Sequence, residues 1–362
     1  MIPVNEKFRI TDEVERYLLV IYLVIVLLSS LVGDSFILIA SVRHSAIKLN
    51  KFIIAVMQHI ALGDLMRSAT CILPVVTSLI ADEWVLGRTV AYINLYLNIF
   101  TFISSNLLIC VLTSSKFLML QFPEQTQRWT KRRAHVACAI VWLGSFVFVV
   151  TLYARSHHYN ELSFDYARYV VTFNDNSSVV LVFVIVSVIL PTLIIILTTF
   201  ATLCYLLRSI QAAHRIGGRL RWQGMVTVTV TAIVYCISVL PYMTAQFCNW
   251  AGLGPKLGEI GLQISRIGSF LTALNIMSNF YIYSLTLPSF RQFVWSKVSQ
   301  IRGSFRSLSG TSSNRRGPQK PNNFTLYKNR YLPFAHSLMI SVLVATRKKF
   351  MSGKSDSFHL PK

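Results

Sequence analysis

Three ionisable side chains, Asp34, Asp64 and Arg67, stand inside stretches that are otherwise almost wholly apolar. Charges in such surroundings are costly to keep and mark functional sites. Buried carboxylates can hold a hard cation through their oxygens or pair with a guanidinium. Ser105, Asn275 and Asn279 are further polar residues in apolar stretches. Asn94 and Asn98 are one helical turn apart and share a face. Their amides suit a peptide backbone or a neutral polar ligand, and equally the packing of one helix against another. None of these sets is catalytic. The chain has no His-Glu-x-x-His, no nucleophile elbow and no Gly-rich phosphate loop, and its 8 His do not cluster at metal-ligand spacing. Neither an enzyme nor a metal centre is expected.

The elements that must position these residues follow from composition. Apolar residues make up 53% of the 362 and charged residues 14%, against about 25% charged in an ordinary soluble domain. Lys and Arg number 35 against 14 Asp and Glu, a formal net charge of +21. So basic a chain could suggest nucleic acid, but its wealth of Val, Ile, Leu and Phe argues instead for a membrane protein with charge pushed into loops. A bilayer core needs about 20 apolar residues per helix. Seven segments qualify, near residues 17–41, 52–80, 90–114, 134–154, 179–207, 225–250 and 262–287. The sequence therefore predicts an all-α membrane protein, a seven-transmembrane helix bundle, with a short amphipathic helix after the seventh span.

Charge sets the orientation. Arg43, Lys48 and Lys51 follow the first span. Arg128, Lys131, Arg132 and Arg133 follow the third, and Arg208, Arg215, Arg219 and Arg221 the fifth. Fourteen basic residues and one acid lie from Arg291 onward, whereas ten of the acids fall in the opposite segments. The reading is a plasma-membrane protein with an extracellular tail at 1–16, a seven-span domain at 17–293 and a basic, flexible cytoplasmic tail at 294–362. Residues 1–16 carry four acids and no apolar run, so the first span serves as the insertion signal. The tail's charge favours anionic membrane lipid; its apolar patch at 338–345 is too short to span and has no assigned role. Pro74, Pro191 and Pro241 lie within spans and should kink them. All six cysteines fall within spans, where small buried thiols are expected.

Ordered landmarks then give a resemblance to the rhodopsin-like family of G-protein-coupled receptors. They are Gly33-Asp34 in the first span and Ala61-Leu62-Gly63-Asp64-Leu65 in the second. Trp84 and Gly87 precede the third span, which ends Ser115-Lys116-Phe117 with Pro123 beyond. Trp142, Pro191 and Leu240-Pro241 mark the fourth, fifth and sixth. The seventh carries Leu274-Asn275 and Asn279-Phe280-Tyr281-Ile282-Tyr283, followed by Phe290-Arg291. Several positions depart from the family pattern. Ala91 stands for the usual outer cysteine, and the loop at 155–178 has no Cys. Asp34 replaces Asn, Val239 the sixth-span Trp, Phe280 the seventh-span Pro, and Thr199 the fifth-span Tyr.

The resemblance implies a receptor that carries an extracellular ligand signal to a heterotrimeric G protein. Ala273 at the retinal-linking position excludes a Schiff-base opsin, and Asn98 at the amine-binding position disfavours an amine; a peptide or small molecule is expected. Asn94, Asn98 and Arg67 are the candidate ligand-binding residues. Asp34, Asp64, Ser105, Asn275 and Asn279 form an internal polar network that in many family members holds a sodium ion. Arg67, three residues past Asp64 and on the same face, is expected to replace that ion as the acid's partner. Its other expected setting is a watery ligand cavity, with the sodium site intact. Ser115, Lys116, Phe117, Arg221 and Tyr283 would form the G-protein-facing switch, with Lys116 and Arg221 repelling each other. Asn176 begins a glycosylation sequon. A small transporter or channel is the alternative from another class, disfavoured by the odd span count and the lack of a repeat between halves. A non-coupling degenerate receptor is the third reading.

Overall fold

The computed structural model describes residues 4–5, 13–42, 49–156, 162–165, 170–173, 185–216, 223–250 and 254–308. The first helix runs Glu13–Val42. The second runs Lys51–Arg67, passes through a π-helical turn at Ser68–Ile72, and continues over Leu73–Ala81. The third is Gly87–Gln121, the fourth Lys131–Ser156, the fifth Leu190–Ile216, the sixth Gln223–Trp250 and the seventh Gly254–Thr286. A single turn at Pro123–Thr126 joins the third to the fourth, and an eighth helix spans Pro288–Leu308. The chain divides into two compact units, Met1–Lys297 and Val298–Lys362; the described part of the second is helical. The eighth helix thus runs well past residue 293, where the sequence reading placed the domain boundary.

Helix ends are fixed by local chemistry. Asn50 caps the second helix, its side chain accepting from the Phe52 amide at 2.8 Å. Asp82 ends that helix in the left-handed region at φ 58°, a conformation Asp tolerates. Trp84 Nε1 donates to the Gly87 carbonyl at 2.8 Å, tying down the turn into the third helix. Pro74 and Pro191 act one turn early, because each follows a π-helical turn, Ser68–Ile72 and Ile185–Ile189. Pro241 lies inside the sixth helix without ending it.

Glycines set two close approaches between helices. A Cβ on Gly33 would lie 2.6 Å from Phe280 Cβ, which seats the first helix on the seventh. A Cβ on Gly268 would lie 2.5 Å from the Tyr242 backbone nitrogen, which seats the seventh on the sixth. The second helix packs between the first, third and fourth, and the third also meets the fifth and sixth. One core cluster, with Ile53, Met57, Leu108, Tyr235, Tyr283 and Phe290, fills much of the bundle. A second, with Leu23, Leu79, Leu95 and Ile276, fills another part of it. Ile140, Leu143 and Phe146 on the fourth helix, and Leu197 and Phe200 on the fifth, remain exposed. In water such a surface would be a liability, and against lipid it is the expected face.

The bundle is not purely helical. Val4–Asn5 pairs in parallel with Leu162–Asp165, which pairs antiparallel with Val170–Phe173, with Val4 opposite Phe164 and Leu162 opposite Phe173. The ends predicted to lie outside are pinned by ion pairs: Arg16 with Asp82 at 2.9 Å and Arg266 with Glu15 at 3.0 Å. Tyr22 adds a hydrogen bond to the Phe270 carbonyl at 2.8 Å.

Candidate functional site: the buried polar network and Arg67

Asp34 and Asp64 are 1% and 2% exposed, and helices one, two and seven meet around them. Ser30 donates to Asp34 Oδ2 at 2.6 Å from one turn earlier on the same helix. Ser68 bridges Ser30 at 2.7 Å and the Asp64 carbonyl at 2.8 Å, crossing from the second helix to the first. Asn279 Nδ2 donates to Asp64 Oδ2 at 2.8 Å, crossing from the seventh. Ser105 reaches the same region from the third helix: a Cβ on Gly63 would lie 3.4 Å from its Oγ. Asp34 Oδ1, Asn279 Oδ1, Ser105 Oγ and the Tyr283 hydroxyl are all buried without a hydrogen-bond partner. These orphan atoms are all oxygens, so the donor set fits a hard cation such as sodium. Asn275 is also buried.

Arg67 differs from its expected role as the partner of Asp64. Among the described residues no ion pair within 4.0 Å joins it to any acid. Its guanidinium lies over the Phe102 ring on the third helix, 5.2 Å from the centroid. Phe102 in turn meets Tyr242 of the sixth helix edge-on at 5.8 Å. Asp64 acts on Arg67 only through space, and its Oδ2 is taken by Asn279. Asn279 of the seventh helix donates to the carboxylate, and the aromatic face of the third holds the cation.

The two asparagines of the third helix part company. Asn94 is buried and donates to the Thr70 carbonyl, tying the third helix to the second. Asn98, half-buried, has no partner for its side-chain amide among the described residues. Arg67 thus meets Phe102, and Asn98 stands one turn before Phe102 on the same helix face.

At the end of the third helix predicted to lie inside, Ser115 is buried and donates to the Val111 carbonyl, while Lys116 and Phe117 are half-buried. Tyr283 is 1% exposed and packs edge-on against Phe290 at 6.4 Å. It therefore lies inside the bundle in this conformation, not on a G-protein-facing surface. Arg221 and Asn176 lie outside the described residues, and with them the expected repulsion with Lys116 and the sequon.

Sequence reasoning missed Ser30 and Ser68, although each stands four residues from an acid on its own helix, a spacing that brings side chains together. It also missed a cluster where helices two and four meet. Trp142 Nε1 donates to His59 Nδ1 at 3.3 Å, and His59 Nε2 lies 2.9 Å from His135 Nδ1. Because Trp donates only, His59 carries its proton on Nε2 and donates to His135. No linear spacing between 59, 135 and 142 signals this meeting.

A family model of the seven-transmembrane receptors (rhodopsin family) matches residues 33–283. The chain belongs to that family. Galanin receptor type 2 of Mus musculus is 22% identical over 286 residues, covering 77% of this chain and 75% of that protein. The Rattus norvegicus protein of that name is 22% identical over 285 residues with the same coverage. The Homo sapiens one is 22% identical over 275 residues, covering 74% of this chain and 69% of that protein. The crystal structure of squid rhodopsin aligns with a TM-score of 0.67 at 14% identity, covering 83% of this chain and 91% of that one. The shared fold is the seven-helix bundle. This receptor is thus a multi-pass membrane protein, and its family is not one of enzymes.

Proposed function

We propose that this receptor stands in the plasma membrane with its N-terminus outside, binds an extracellular ligand within the outer half of the bundle, and activates a heterotrimeric G protein inside. The carrying observation is the chain of hydrogen bonds Ser30–Asp34, Ser68–Ser30 and Asn279–Asp64, which locks three helices around two buried acids. Buried acids cost stability in a membrane, and an arrangement with four orphan oxygens is incompletely satisfied. Such a network suits an element with two packings of similar energy, whose balance a ligand shifts by its differential affinity. A sodium ion held by Asp34, Asp64, Ser105 and Asn279 would neutralise the acids and favour one packing. A peptide ligand is favoured over an amine: Asn98 offers no carboxylate to an ammonium, and the relatives above are named for a peptide, galanin. The basic segments predicted to lie inside would meet the G protein and anionic lipid.

The test places an epitope tag before Glu13 and a reporter of G-protein dissociation in the same cells. Tag antibody should bind intact cells, and surface receptor should raise dissociation of at least one G protein above mock-transfected cells, further so with a peptide library. A tag reachable only after permeabilisation, or ion or solute flux without dissociation at full surface expression, overturns the proposal.

A further inference from the structure

We infer that the ligand of this receptor carries a carboxylate, and that Arg67 binds it with Asn98 as the second donor. The inference rests on the receptor reading above and adds the chemistry of what is bound. Arg67 is 7% exposed, deep in a helix bundle, and among the described residues no acid lies within 4.0 Å of it. A guanidinium presents five N–H donors in a planar fork. The Phe102 ring attracts its charge but supplies no oxygen acceptor. Arg16 and Arg266, by contrast, each have a carboxylate, at 2.9 and 3.0 Å. Among the described residues the buried Arg67 has no such direct partner, and the cost of keeping it favours an anion that closes on the guanidinium.

The neighbours select the anion. Asp64 Oδ2 accepts from Asn279 and Asp34 Oδ2 from Ser30, and among the described residues neither acid lies within 4.0 Å of the guanidinium. Asn94 is spent on the Thr70 carbonyl, whereas Asn98 keeps its NH2 free one turn from Phe102. One guanidinium fork and one amide match a planar, singly charged carboxylate in bidentate geometry. A doubly charged phosphate would meet one guanidinium and the nearby charge of Asp64, too little positive charge for it. The carboxylate can belong to a free organic acid or to the C-terminus or an acidic side chain of a peptide.

The experiment uses the full chain in nanodiscs and reads thermal stability, which needs no G protein. The probes are straight-chain and aromatic monocarboxylates with their methyl esters, and peptides ending in a free acid with their C-terminal amides. At least one acid should raise Tm where its ester or amide does not, the responding arm identifying organic acid or peptide. Arg67→Gln should weaken that acid by about 30-fold or more, and Arg67→Lys by less, because charge is kept and the fork is lost. Should Arg67→Gln fail to fold, Arg67→Lys and the acid–ester difference on the unaltered chain decide. Equal shifts for acids and their neutral twins, no shift for any acid, or acid binding unchanged in Arg67→Gln overturns the inference. Nucleotide exchange on added G protein is read separately: acid-specific stabilisation without exchange sinks the receptor reading alone, and exchange driven only by neutral ligands sinks the carboxylate alone.

Discussion

Gly268→Ala places one methyl where the seventh helix meets the sixth. The new Cβ would stand 2.5 Å from the Tyr242 nitrogen, 2.7 Å from its Cα and 2.9 Å from the Pro241 carbonyl carbon. All three are backbone atoms beside a proline, so no side chain can swing aside and one helix must move. Overpacking of this kind costs about 1–3 kcal/mol. Ala gains about 1 kcal/mol over Gly in helix propensity, leaving a net loss of up to about 2 kcal/mol. At about 2–4 °C per kcal/mol, Tm should fall by up to about 8 °C. Gly144→Ala is the matched control: the same propensity gain applies, and nothing lies within 4 Å of its Cβ. Its Tm should hold or rise. The assay is thermal unfolding of both purified variants in one detergent, followed by tryptophan fluorescence. Equal shifts for the two, or a stabilised Gly268→Ala, would refute the close approach of the sixth and seventh helices.

Replacing sodium by N-methylglucamine at constant ionic strength should lower the Tm of the unaltered receptor, by the equivalent of about 1.4 kcal/mol when sodium is ten times its Kd. Ser105→Ala should remove that sensitivity; a receptor indifferent to sodium from the start would return Arg67 to Asp64. All six cysteines are free, and Ala91 occupies the position of the family's outer cysteine. Membrane-impermeant reductant should therefore leave surface level and Tm unchanged, and a marked loss of either would reveal a bridge.

The spans were legible because apolar length in a bilayer leaves the backbone few choices. The first helix starts at Glu13, ahead of the predicted 17, because Glu13 and Glu15 suit a helix N-terminus and Glu15 and Arg16 are anchored by Arg266 and Asp82. Pro74 and Pro191 were readable as breaks, but not that the ladder would widen to π-helical turns before them. Asp34, Asp64, Ser105 and Asn279 were readable as a polar set from residue type and order. Partner choice was not. Arg67 could reach Asp64 on its own helix, and only the packing of the third and seventh helices gave Phe102 to one and Asn279 to the other. Asn94 met a backbone carbonyl, a partner that no side-chain pattern announces. The pairing of Val4–Asn5 with Leu162–Asp165 joins segments so distant in sequence that no local signal carries it.

Purified components test most directly whether this receptor turns over a G protein. The full chain in nanodiscs, with each class of heterotrimeric G protein in turn, is assayed for nucleotide exchange against empty discs. Exchange above the empty-disc rate with at least one class, lowered by saturating sodium, is the predicted result. Rates equal to empty discs for every class, with and without the acid and peptide probes, would contradict it.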